Sequence, residues 1–213
     1  MTDDLDDLIR RTDPDRWLSS RFVADVRARA DVVAIYAYDY ELARAPKVAS
    51  NSLLGEIRLT WWREVLDEVF EGRAVRLHPT AQALADVVRR HGLPREPLEA
   101  MIDARYRELD EAPMNEAEAL EWARGTGGTA AELAAHILDP TQPAESANAA
   151  GAAWALARKG LAIQGAAEAR ADARKLSAAA FPAVAHAALV LNPAGSELAR
   201  RLRILWAVAR GRL

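Results

Sequence analysis

An all-α fold is what this sequence predicts, on three observations. Forty-seven of its 213 residues are alanine, against 11 glycines and 10 prolines. Apolar residues recur at three- and four-residue steps along most segments, the spacing of one helical face. No strand-like alternation runs beyond four residues. Alanine is the strongest helix former, so composition and periodicity agree. At 51% apolar residues, the chain can bury a sizeable core.

The elements follow in order. Asp13-Pro14 is a helix start, with Asp as N-cap and Pro at the first helical position. Over Val23–Arg44, Val26, Ala30, Val33, Ala37 and Tyr40 mark one face, and Pro46 closes the segment. Ser50 or Ser52 caps the next helix, with Leu54, Ile57, Trp61, Val65 and Val69 as its stripe and Gly72 as its stop. Pro79–His91 ends at Gly92. Pro94 and Pro97 open a helix running to about Glu111, and Asn115 starts another through Trp122. Gly125–Gly128 reads as a helix break that lets neighbours approach closely. Thr129–Leu138, an Ala-rich helix over Glu145–Lys175, Ala178–Leu191 and Ser196–Leu213 complete the chain. Asp139–Pro143 is the best boundary candidate, yet a turn of that length is an ordinary helix connection. A single domain over residues 1–213 is therefore expected, with 1–12 as a loose N-terminal extension.

Composition excludes whole classes of chemistry. The chain has no cysteine, which removes disulfide frameworks, thiolate metal sites and cysteine nucleophiles. Its four histidines, His78, His91, His136 and His186, show no ligand spacing. Asp103 and Arg107 stand four apart, the spacing of an ion pair on a solvated helix face. Asp103 and Glu108 stand five apart and point away from each other around a helix, so they do not form a metal pair. Gly125–Gly128 lacks the strand before it and the Lys-Ser/Thr after it that a phosphate loop needs. No metal site is expected.

The net charge of −3 divides unevenly. Residues 151–213 hold 10 basic and 3 acidic side chains, and residues 1–150 hold 18 and 28. A uniformly basic nucleic-acid binder is excluded, while the C-terminal third suits an anionic surface. No apolar run is long enough to span a bilayer, and the acidic start is not a secretory signal. The expected location is cytoplasmic, with a peripheral position on the inner membrane left open. The last helix carries that option: Leu198, Leu202 and Leu205 step along one face with Trp206 beside them, and arginines crowd the rest. The same stripe could instead be buried at home as the last helix of the bundle.

Five segments stand out: Asp13–Phe22, Val33–Arg44 (Val-Ala-Ile-Tyr-Ala-Tyr-Asp-Tyr-Glu-Leu-Ala-Arg), Gly55–Glu64 with its Trp61-Trp62-Arg-Glu, Met101–Glu108 and Arg200–Trp206. Together they resemble the squalene/phytoene synthase family, head-to-head prenyl transferases of the isoprenoid synthase fold. The resemblance implies an all-α, isoprenoid-synthase-like helical bundle, C-terminally shortened. In that family two allylic diphosphates are ionised, and Mg²⁺ held by two opposed aspartate-rich motifs neutralises the departing group. The positions corresponding to the first motif are Ala43, Arg44 and Lys47, and Tyr40 stands where a diphosphate-binding arginine is expected. For the second motif, Gly160–Gln164 leads to Ala167, Arg170, Ala171 and Lys175, with Asp172 one residue out of place. Both carboxylate clusters are missing. The pattern resembles the branch whose mitochondrial members assist the assembly of respiratory complex I.

The resemblance therefore implies a non-catalytic protein that binds an isoprenoid or lipid, or that serves respiratory-complex assembly, with a complex subunit or a membrane surface as partner. Two readings stand beside it: a prenyl transferase using allylic diphosphates, for which alone Mg²⁺ would be the cofactor, and a structural module without a ligand. Arg44, Lys47 and Arg58 are the candidates for holding a diphosphate directly. Val33, Ala37, Ile57, Trp61 and Leu120 are the candidates for lining an apolar cavity, and Leu198, Leu202, Leu205 and Trp206 for facing a membrane.

Overall fold

A computed structural model describes residues 2–47, 52–141, 143–192 and 195–213. Among these all regular structure is helical, with no strand. Helices α1 (Thr2–Thr12), α2 (Pro14–Ser20) and α3 (Val26–Lys47) lead into α4 (Ser52–Phe70), α5 (Pro79–His91) and α6 (Arg95–Tyr106). Then come α7 (Glu116–Ala123), α8 (Thr129–Leu138), α9 (Asn148–Lys159), α10 (Ala166–Ala173), the short α11 (Ala188–Leu191) and α12 (Glu197–Arg210).

Local chemistry explains the boundaries. The Asp13 carboxylate accepts the Arg16 N–H at 3.2 Å and caps α2. Asn115 and Glu118 form a reciprocal capping box at the start of α7. Gly92 ends α5 in the left-handed region at φ +60°, which a side chain would resist, and its N–H returns to the Val88 carbonyl.

Helix α3 forms the axis of the bundle, with α1, α4, α5, α6 and α8 packed around it. Every residue from Val32 to Tyr38 is buried, so this stretch is apolar on all sides rather than striped. Its outer end is different: Val26 is 67% exposed. Helix α9 lies across the α7–α8 junction and against α10.

Four expectations need correction. The expected loose extension over 1–12 is, from Thr2 to Thr12, a helix, and its Leu5 and Ile9 are buried in the core. The buried face of α4 is Gly55, Leu59, Trp62, Val65 and Leu66, while Leu54 and Ile57 lie outside it. Packing against α3 and α6 selects that face over the one the apolar spacing favours. Glu145–Lys175 is not one helix, because Gly160 at φ +75° ends α9 and α10 begins only at Ala166. Gly125–Gly128 does not break the helix. The chain widens into one π turn over Arg124–Gly128 and continues from α7 into α8. The close approach expected there is present, since a Cβ on Gly127 would lie 2.7 Å from Ala155 Cβ.

Candidate functional site

The middle of α3 carries two kinds of side chain on successive turns. Tyr36 and Tyr38 are fully buried, and Asp39 and Tyr40 follow directly after them. Asp39 is buried at 5% exposure, where an ionised carboxylate needs partners. It has two. Arg16 of α2 donates from Nη1 to Oδ2 at 2.6 Å, and Arg105 of α6 donates from Nη2 to Oδ1 at 2.6 Å. Arg105 in turn donates from Nη1 to Glu108 at 2.6 Å. Glu108 also accepts the Trp122 indole N–H at 3.0 Å and the Lys159 ammonium at the end of α9. The result is a chain of alternating charge, Arg16, Asp39, Arg105, Glu108, Lys159, whose side chains are buried from Arg16 to Glu108 and which reaches the surface at Lys159.

Burial works to raise the pKa of Asp39, but Arg105 and Arg16 outweigh it and hold the carboxyl below its usual range. Glu108 follows the same pattern, with Arg105 and Lys159 overcoming desolvation. Both are firmly ionised. Asp13 behaves in the opposite way. Burial prevails over Arg16 and Arg158 and lifts it to about 6. The Arg16 guanidinium lies 3.8 Å over the Trp154 ring and 4.9 Å from the Tyr36 ring. A cavity of about 370 Å³ opens on this chain, walled by Asp13, Arg16, Tyr40, Glu108, Trp154 and Lys159.

A second cleft, of about 350 Å³, lies further along α3. Here the structure brings Arg44 and Arg58 together, with Glu41, Trp61, Trp62 and His78. Arg44 is paired to Glu41 at 3.1 Å and lies 5.6 Å from the Tyr40 ring centre. The side chain of Lys47, the third residue of that set, lies outside the described residues.

The five residues expected around an apolar cavity do not share one. Val33 and Ala37 are packed into the core, Ile57 is 55% exposed, Leu120 is half-buried on α7, and Trp61 lines the second cleft. Along α12, Leu198, Leu202, Leu205 and Trp206 all face solvent, while Ile204 and Ala207 face the bundle. The stripe is therefore not buried at home. The expected Asp103–Arg107 ion pair is also absent. Asp103 pairs with Arg63 of α4, and Arg107 reaches Glu118 at 2.8 Å and Asp110 at 3.4 Å.

Sequence reasoning missed the Arg16–Lys159 chain altogether. Its only signal was a charge in the wrong phase: Asp39 inside the run Ile-Tyr-Ala-Tyr-Asp-Tyr, and Arg105 four residues after Met101 on the buried side of α6.

This arrangement tests whether Mg²⁺ fits. The ion requires near-octahedral oxygen ligands, supplied in part by carboxylates. Of the three carboxylates beside the cavity, Asp39 and Glu108 each already hold two cations, and Asp13 is engaged by the Arg16 N–H that it caps and lies 3.8 Å from the Arg16 guanidinium. One turn beyond Asp39 stand Ala43 and Arg44. Among the described residues no three Asp, Glu or His side chains gather as a metal-holding group. These residues do not fit the ion.

Comparison with known proteins supplies the family. The squalene/phytoene synthase family model matches residues 9–164. The chain belongs to the squalene/phytoene synthase family. Similar curated proteins are the "NADH dehydrogenase (ubiquinone) complex I, assembly factor 6" of Bos taurus, 28% identical over 133 residues, and of Homo sapiens, 26% identical over 133 residues. Each match covers 62% of this chain and 39% of the relative, so the chain matches well under half the length of those proteins. Among solved structures, a dehydrosqualene synthase in complex with ligand superposes with a TM-score of 0.70 at 14% identity, covering 98% of this chain and 95% of that one. That likeness establishes the isoprenoid-synthase-like helical fold.

Proposed function

We propose that this family member works by binding rather than by catalysis, as an assembly protein for a respiratory NADH dehydrogenase complex. One observation carries the first half: the chain Arg16–Asp39–Arg105–Glu108–Lys159 lines the cavity and engages Asp39 and Glu108, the two carboxylates there whose pKa is depressed. Ionising an allylic diphosphate places growing negative charge on the leaving group, and stabilising that charge is the main source of rate in such chemistry. Here the positions corresponding to the family's first metal motif read Ala43, Arg44 and Lys47, and Asp39 and Glu108 beside the cavity are neutralised by arginine and lysine. Losing several kcal/mol of stabilisation lowers a rate by orders of magnitude.

The second half rests on the named relatives, which are assembly factors for complex I. It is favoured over isoprenoid binding because the residues proposed for an apolar tunnel do not converge on one cavity.

Two measurements test the two halves. Purified protein incubated with farnesyl or geranylgeranyl diphosphate and Mg²⁺ should release no pyrophosphate above the protein-free control. Sustained, Mg²⁺-dependent release above that control would overturn the non-catalytic reading. Deleting the gene in its host should lower the amount of assembled NADH dehydrogenase on native gels, with recovery on re-expression. An unchanged amount would overturn the assembly reading.

A further inference from the structure

Helix α12 is fastened to the bundle by one side and bare on the other. Ile204 and Ala207 are buried, Arg200 pairs with Asp15 of α2, and Arg203 donates to the Asn192 carbonyl after α11. At about 100° per residue, Leu198, Leu202, Leu205, Trp206 and Ala209 occupy roughly a third of the circumference, opposite Ile204 and Ala207. The three leucines are 67%, 44% and 48% exposed and Trp206 is 56% exposed. Arg201 borders this stripe on one side, and Arg203 and Arg210 border it on the other. Between α12 and α11 runs a groove of about 590 Å³ lined by Leu202, Arg203, Trp206, Arg210 and Arg212. The Arg210 guanidinium lies 4.5 Å from the Trp206 ring centre, so charge and indole share one edge of the stripe.

Charge separates this helix from the rest of the molecule. Residues 197–213 carry five arginines and one glutamate, whereas residues 1–196 carry 23 basic and 30 acidic side chains. Exposed leucines with a tryptophan at their edge, bounded by arginine on both sides, match the layering of a bilayer surface: acyl boundary beneath, phosphates level with the arginines. A second copy of the chain would bring arginine against arginine across a two-fold axis, which is repulsive. No helix among the described residues is long and apolar enough to cross a membrane, and the 14 residues of α12 suit an in-plane position.

We infer that the outer face of α12 docks in the plane of an anionic phospholipid bilayer, with Leu198, Leu202, Leu205 and Trp206 in the acyl boundary and Arg201, Arg210 and Arg212 on the lipid phosphates. The inference stands apart from the proposed function, since it uses neither the central cavity nor the relatives.

Sedimentation with vesicles tests it on the full chain. Vesicles of phosphatidylcholine with phosphatidylglycerol should carry the protein down, pure phosphatidylcholine should not, and high salt should release it. Leu202→Asp should weaken partitioning about tenfold, by removing apolar burial. Arg201→Ala and Arg210→Ala should weaken it about fivefold each and reduce the salt dependence. These side chains face solvent, so helicity and melting temperature should hold in every variant. Equal binding to both vesicle types, binding to neither, or full binding by Leu202→Asp overturns the inference. So does a concentration-dependent dimer that Leu202→Asp dissolves, because the face would then belong to a second copy.

Discussion

Arg16 and Asp39, 23 residues apart in sequence, form an ion pair at 2.6 Å in which both side chains are almost wholly buried. Each depends on the other more than either depends on solvent. Removing one partner of a buried pair leaves an uncompensated charge and costs about 3–5 kcal/mol, more than the pair itself contributes relative to apolar residues. Asp39→Asn leaves Arg16 with only Asp13, at 3.8 Å, and Arg105 with only Glu108, so it should lower unfolding stability by up to about that amount. Arg16→Met leaves Asp39 with Arg105 alone and should lower stability in the same direction. The double variant should lose clearly less than the sum of the two, because the second change removes the charge that the first left stranded. Urea unfolding of the four proteins in the cycle measures this. Simple additivity would mean that the pair is not coupled.

The fold was largely legible before the structure, and the site was not. Helices such as α5 and α7 are framed by local signals, Pro79 and Gly92 for one and Asn115 with Glu118 for the other, so their limits lie in the sequence. Arg44 and Arg58 were expected together and do share a cleft. The Arg16–Asp39–Arg105 chain joins residues up to 66 positions apart, and nothing local couples them. Helix α1 was hidden by its own charge: Asp3, Asp4, Asp6 and Asp7 suggest a solvated segment, while Leu5, Leu8 and Ile9 form the stripe that docks. The α9–α10 division depends on Gly160 adopting a left-handed turn inside an alanine-rich run with weak stop signals.

Asp13 should make the protein less stable as pH rises. Its folded pKa of about 6 lies above its ordinary value of 3.8, so the folded state holds the proton more tightly than the unfolded chain. The contribution is present in full below about 4 and is lost as pH rises through about 6. Asn retains the cap on α2 and carries no charge. Asp13→Asn should therefore match the parent near pH 4 and exceed it above pH 7, by up to about 3 kcal/mol. Chemical denaturation at the two pH values decides it. An equal difference at both would place the effect in the cap rather than the charge.

His186 should act with the opposite sign. It is wholly buried, edge-on to Trp154 at 5.3 Å and to Tyr36 at 6.2 Å, with neither ring nitrogen hydrogen-bonded. Burial, reinforced by the Arg16 charge, pushes its pKa well below 6.5. The unfolded chain then takes up a proton below pH 6.5 that the folded protein refuses, and stability falls as the solution is acidified through that value. His186→Phe removes the unpaired nitrogens and the titration together. It should stabilise by about 1–3 kcal/mol at pH 8 and by more at pH 5. A gain that shrinks on acidification would contradict the assignment of a neutral buried imidazole.

Gly151 is where α9 meets the π turn between α7 and α8. A methyl group there would fall on the Gly127 carbonyl oxygen and lie 2.7 Å from Ala131 Cβ, both on rigid backbone elements. Two terms compete in Gly151→Ala. The helix gains up to about 1 kcal/mol from the better helix former. Overpacking costs about 1–3 kcal/mol, because neither neighbour is the flexible end of a long side chain. The clash should win, with a net loss of stability. The loss should reach the central site as well, since α9 also carries Trp154 under Arg16 and Lys159 against Glu108. If α9 moves outward to admit the methyl group, both contacts loosen, and Glu108 loses one of the cations that depress its pKa. The measurable consequence is a shallower further loss of stability on acidification below pH 5 for Gly151→Ala than for the parent, on top of the lower stability at neutral pH, because a Glu108 with a less depressed pKa has less stability to lose in acid. A variant as stable as the parent at both would show that α9 and the π turn are not in the contact described.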